Sequence, residues 1–166
     1  MGIFATEIIM DIYTVAFFGH RYIDEWAFLE ASLEKHIRSL IDEKEYIEFL
    51  VGRNGDFDQL VSSTIHRVRR NYYDANSALI LVLPYSTADY INNQDGYERY
   101  YDNIEISYKA STAYPKAAIQ IRNRKMVDRA DLIICCVDHK NGGAHKTIKY
   151  AEKQKKQIIN ICNDKT

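Results

Sequence analysis

Proline and glycine are scarce, two and seven in 166 residues, which excludes a low-complexity chain. No sign of charge dominates either. Twenty-two Lys and Arg against 23 Asp and Glu leave a formal net charge of −1, so no global field recruits nucleic acid or an acidic membrane. No apolar run nears the roughly 20 residues that a bilayer span requires. The opening stretch MGIFATEIIMDIYT carries Glu7 and Asp11 but no basic start, unlike a signal peptide. Gly2 with Thr6 is a faint myristoylation-like spacing, read as incidental. A cytoplasmic location without membrane contact is the expectation.

Cysteine is also sparse, with three in the chain, and this fits a reducing compartment. Cys135 and Cys136 are neighbours in LIICCV, where a strand points them to opposite faces. They read as small buried hydrophobes rather than a redox pair. No CxxC and no Cys/His cluster has zinc spacing, so neither a metal nor a cofactor is expected.

What is present is an alternation of short β-branched and aromatic runs with helical patterns, the mark of a parallel sheet covered on both faces. Strands are predicted at 13–18, 46–51, 78–83, 131–137 and 157–162, with a short one at 103–107. Between 24 and 42, Trp26, Leu29, Leu33, Ile37 and Leu40 recur at spacings of three and four and form one apolar helical face. A second helix starts with Asp56 or Asp58 as N-cap, a third at Pro115, and a fourth runs from 141 to about 156. The expected fold is α/β, Rossmann-like, with a mostly parallel sheet of five to six strands and helices on both faces. Residues 1–166 read as one domain with an irregular insertion at 85–114, which holds seven of the 13 tyrosines.

Three strands end in glycine-bearing loops: Gly19-His20-Arg21, Gly52-Arg53-Asn54-Gly55 and Asn141-Gly142-Gly143. In an open parallel sheet these loops meet at the carboxyl edge, where ligands bind. Glycine permits close backbone approach, and a following helix N-terminus offers free N–H groups to an anion. His20, Arg21 and Arg53 add charge-assisted donors. Neither GxGxxG nor a P-loop is present. In Arg122-Asn123-Arg124-Lys125, helical spacing turns only part of the cluster inward, and one arginine aimed at the strand ends clamps a phosphate. Such an arginine lines a cleft, and its removal is expected to leave folding little changed. The lysines of KTIKYAEKQKK at 146–156 form a solvated helix face. The tyrosines of 85–114 suit either stacking on bases or packing in a lid or subunit contact.

Three segments, FFGHR at 17–21, AIQIRNRKMVDRADLIICCV at 118–137 and NGGAHKTIKYAEKQKKQIINI at 141–161, resemble the SLOG superfamily, and in particular its small stand-alone members. The resemblance runs from Tyr13 to Asn163. It implies a Rossmann-like sheet, a nucleotide-derived ligand, frequent dimers and kinship with ligand-sensing domains of bacterial defence systems. The enzymatic LOG branch carries Arg, then Met four positions on, then Ala-Asp, matched here by Arg122, Met126, Ala130 and Asp131. That branch continues with GGxGTxxE. This chain has Gly142-Gly143-Ala144-His145-Lys146-Thr147, with no glutamate before Glu152, so the usual carboxylate of N-glycosidic cleavage is missing. Asp138 and Asp56 are the substitutes in reach, and the catalytic residues stay unassigned.

The expectation is therefore binding or sensing of a nucleotide-like small molecule by a homodimer or higher oligomer, without established catalysis. The contacts are Gly19, His20, Arg21, Gly52, Arg53, Arg122, Asn123, Asn141, Gly142, Gly143, Ala144 and Thr147. An N-glycosidic enzyme acting on nucleotides is the alternative. A nucleic-acid-associated domain is placed third, and nucleic acid as a partner is disfavoured by the balanced charge.

Overall fold

The computed structural model describes residues 10–72, 75–107 and 112–164, so Gly2 and Thr6 lie outside the described residues. Six strands, β1 (Ile12–Gly19), β2 (Tyr46–Val51), β3 (Ser77–Leu83), β4 (Asn103–Ile106), β5 (Leu132–Cys136) and β6 (Gln157–Asn160), form one sheet in the order β4-β3-β2-β1-β5-β6. Every pairing is parallel. The expected Rossmann-like class is the observed one. From β1 the chain steps one way to β2, β3 and β4, then returns to add β5 and β6 on the other side. That reversal between β1 and β5 opens a crevice at the carboxyl ends of the strands.

Among the described residues six helices accompany the sheet: α1 (Trp26–Glu43), α2 (Asp56–Arg69), α3 (Ala88–Asn92), α4 (Gln94–Tyr100), α5 (Pro115–Arg129) and α6 (Gly142–Lys153). A strand alternates its side chains, so a strand buried on both faces is apolar at every position. Val15 and Phe17 of β1 join Phe49, Leu81 and Ile134 in a core closed by Leu33 and Ile37 of α1 and Phe57 and Ile65 of α2. Ala16 and Phe18 join Leu50, Ile80 and Ile133 in a second core, closed by Met126 and Val127 of α5 and Ile148 and Ala151 of α6. Each fully buried Phe or Leu contributes about 1.5–3 kcal/mol against leaving it in water.

Two local expectations are corrected. Gly55, not an aspartate, occupies the α2 N-cap. The Asp56 carboxylate instead accepts the Ile23 N–H at 3.2 Å, and that of Asp58 accepts the Asn54 N–H at 2.9 Å. Both aspartates thus tie down the loops that enter the crevice. The cysteines are not three thiols either: Cys136 at the end of β5 is disulfide-bonded to Cys162, 26 positions on. Because β6 lies beside β5, the turn that follows it (Ile161–Asp164) comes back against the β5 end. Cys135 is free and buried, and burial pushes its thiol up to about 12.

In the tyrosine-rich segment, α3 is capped by Thr87, whose hydroxyl accepts the Tyr90 N–H at 3.1 Å. Tyr97 and Tyr101 are 5% and 4% exposed and join the first core. Tyr108 lies outside the described residues.

Candidate nucleic-acid interface

The crevice at the β1–β5 reversal holds a cavity of about 230 Å³, lined by Gly19, His20, Arg21, Gly52, Asn54, Gly55, Asp58, Arg122, Asn123, Gly143 and Ala144 over a floor of Phe17, Phe18, Ile119 and Met126. The glycines here have steric causes. A Cβ on Gly19 would run into the Phe57 ring, and one on Gly55 would meet the Arg21 backbone at 2.5 Å. A Cβ on Gly52 would stand 3.0 Å from the Asp58 carboxylate and 3.1 Å from the Arg122 guanidinium. A side chain here would crowd both groups where they meet the β2 end.

Arg122 is 2% exposed, although it carries a full charge. Its Nη1 donates to the Val82 carbonyl at 2.8 Å and its Nε to Asn123 Oδ1 at 2.9 Å. Asn123 Nδ2 donates to Thr147 Oγ1 at 3.0 Å, and that hydroxyl donates to the Gly143 carbonyl at 2.9 Å. This chain of bonds fastens β3, α5 and the first turn of α6 together. Burial lowers the Arg122 pKa, with Asp58 acting against it, and burial raises the Asp58 carboxyl while the Asn54 N–H and Arg122 act against that. The expected cleft-side clamp with no structural duty is corrected: Arg122 is both the cation behind the cavity and a bracket of the fold.

Asn141, Gly142 and Thr147 do not line this cavity. Asn141 sits at the N-cap of α6 without a side-chain cap. Gly142 has φ +90°, a conformation that favours glycine. Thr147 is buried and acts through Asn123 and Gly143. His20, 8% exposed, accepts the Asp138 N–H on Nε2 at 3.1 Å and stacks on His139 with ring centroids 3.5 Å apart. Burial above all, then His139, lowers its pKa, against an opposing pull from Asp138.

Arg53 turns away from the first cavity into a neighbouring groove of about 680 Å³, which shares Gly52 and Asp58 with it. There its Nη1 donates to the Tyr101 hydroxyl at 3.1 Å, and its guanidinium lies 4.6 Å from the centre of the Tyr97 ring. Tyr97 also donates to Asp89, and burial and that bond push its hydroxyl up to about 12. Trp26 and Tyr100 line the same groove and are 43% and 37% exposed. The sequence reading missed Asp58, Trp26 and Tyr100 as site residues. The density of tyrosine at 85–114 was the available signal for Tyr100, whereas Trp26 counted only as a helix-face residue.

No family model and no curated protein matches the chain. Among the described residues no helix is long and apolar enough to cross a membrane. Two solved structures share the fold. One is DNA processing protein A (DprA) from Streptococcus pneumoniae, with a TM-score of 0.61 and 17% identity over 89% of this chain and 49% of that one. The other is DNA processing protein A from Helicobacter pylori, described in its single-stranded DNA binding mode, with a TM-score of 0.62 and 16% identity over 92% of this chain and 70% of that one. The chain thus spans about half the length of the first. These likenesses overturn two expectations, the nucleotide-like small molecule with nucleotide sensing as its function, and nucleic acid as a disfavoured partner. The balanced net charge does not weigh against such a partner, because it is a global sum and a binding edge needs only local cations.

Proposed function

We propose that this protein binds single-stranded DNA along the carboxyl edge of its sheet. The observation that carries the reading is the adjacency of two unlike cavities at Gly52: one backed by the Arg122 charge, the other an aromatic groove with Arg53 on its wall. A single strand alternates charged phosphates with flat bases, and proteins hold it with cations and stacking platforms in turn. Arg122, Arg21 and the amides of Gly143 and Ala144 at the start of α6 take a phosphate. The partly exposed rings of Trp26 and Tyr100 take bases, and Arg53, held by Tyr97 and Tyr101, takes a second phosphate. The single-stranded DNA binding named for the Helicobacter pylori protein of the same fold supports this choice of strand. We further infer membership of the SLOG superfamily, which rests on the three sequence segments together with that shared fold.

The test is fluorescence anisotropy of labelled oligothymidylate across a salt series. Binding is expected to weaken with salt at a slope of about −0.7 per phosphate neutralised, and to exceed binding of the same length of duplex. Absence of binding at low salt, or preference for duplex, would sink the reading.

A further inference from the structure

The end of β1 and the loop after β5 bring two imidazoles and a carboxylate to one place. The register pairs Gly19 with Cys136, so His20 comes level with the residues leaving β5, 118 positions away. His20 Nε2 stands 3.2 Å from Asp138 Oδ1, and His139 Nε2 stands 4.0 Å from the same oxygen. The three donor atoms lie within 4.8 Å of one another. They border a third cavity of about 370 Å³, which shares only His20 with the Arg122 cavity.

We propose that His20, Asp138 and His139 form a binding site for a divalent transition ion of the zinc class, with a further position open to solvent. His20 Nε2 accepts the Asp138 N–H at 3.1 Å, so an ion takes this lone pair by displacing that one bond. The same nitrogen lies 3.2 Å from the Asp138 carboxylate oxygen, close enough for one cation to bridge the two atoms. Two imidazoles and one carboxylate suit zinc, whereas magnesium and calcium favour all-oxygen shells. With ligand distances of about 2.0–2.2 Å, a tetrahedral edge is about 3.4 Å. The His20–Asp138 edge, at 3.2 Å, is close to that length. His139 is exposed and closes its edge by a side-chain rotation that also unstacks it from His20. Three protein ligands with an open fourth position are the arrangement of zinc sites that hold a water or a small ligand. The inference stands apart from the DNA-binding reading and shares with its cavity only His20, to which that reading gives no contact.

The test uses the full chain after chelator treatment. Zinc and magnesium are titrated calorimetrically into wild type, His139→Ala and Asp138→Asn, and the absorption spectrum is taken with cobalt(II). Both substituted side chains are exposed, and circular dichroism checks their folding. One zinc per chain is expected, with no comparable magnesium binding, visible cobalt bands, and affinity at least about 100-fold weaker in each variant. Cys136 and Cys162 also border this cavity, so an intense sulfur-to-cobalt charge-transfer band would overturn the ligand assignment. Silence with both zinc and cobalt, magnesium binding as tight as zinc, or unchanged zinc affinity in both variants would overturn the proposal. If a variant unfolds, the wild-type zinc stoichiometry and cobalt spectrum still decide.

Discussion

Asn123 of α5 donates from Nδ2 to the Thr147 hydroxyl of α6 at 3.0 Å, and both side chains are buried. Asn123→Ala strands the Arg122 Nε and one lone pair of Thr147, so a loss of about 1–3 kcal/mol is expected in urea unfolding. A double-mutant cycle with Thr147→Val should return a coupling of about 0.5–1.5 kcal/mol. Additive losses would mean that the bond contributes nothing to the α5–α6 contact.

Arg122→Ala should destabilise the isolated protein by at least about 2 kcal/mol, because the Val82 carbonyl and the Asn123 amide oxygen lose a buried charged donor. Lys125→Ala at the exposed surface should stay within about 0.5 kcal/mol. Arg124→Ala gives up a contact over the Tyr150 ring at 5.2 Å and should cost no more than about 1 kcal/mol. Equal midpoints for all three variants in denaturant titration would reduce the RNRK cluster to a solvated face.

Gly19 and Gly142 should respond to alanine for different reasons. At Gly19 the new methyl meets the Phe57 ring, and overpacking costs about 1–3 kcal/mol. At Gly142 no atom lies within 4 Å, so only the positive φ resists, at about 1 kcal/mol or somewhat more. Thermal melts of a Phe57→Ala, Gly19→Ala double variant separate the two causes. Removing the ring should relieve the Gly19 cost, and failure to do so would place that cost elsewhere.

In the groove proposed to take DNA, charge and stacking should come apart. Arg53→Ala is expected to reduce the magnitude of the salt slope by about 0.7, the share of one phosphate. Trp26→Ala or Tyr100→Ala should leave the slope alone and cost about 1–3 kcal/mol per stacked base. Anisotropy at several salt concentrations reads both. Unchanged affinity in all three variants would remove the groove from the DNA path.

Alkylation at pH 8 should label no cysteine of the folded chain. Burial raises the Cys135 thiol well above that pH, and Cys136 and Cys162 are paired. Unfolding without reductant should expose one thiol, and unfolding with reductant all three. Mass spectrometry counts the adducts, and three labels without reductant would contradict the pairing.

Much of the architecture was legible because it follows from local rules. Tyr46–Val51 is an apolar run of strand length, and the observed β2 has those bounds. Pro115 opens a helix because its fixed φ suits a first turn. The glycine loops after β1, β2 and β5 were readable for a similar reason, since strand ends in a parallel sheet share one edge. Arg53 was not readable, because whether it faces the Arg122 cavity or the tyrosine groove depends on how α3 and α4 pack. The Cys136–Cys162 bond and the meeting of His20, Asp138 and His139 leave no spacing signal, since β1 and β5 become neighbours only when the chain returns across the sheet.

The sequence by itself determined the alternation of strands and helices, the two-sided burial of the sheet and the edge at which the glycine-bearing loops gather. Those follow from side-chain periodicity and from the scarcity of glycine outside the strand-end loops. Tertiary structure alone decided that Arg122 is a buried bracket as well as a cation, that Trp26 and Tyr100 share a groove with Arg53, and that His20 meets Asp138. Each depends on strand order and helix packing, which join residues through space rather than along the chain.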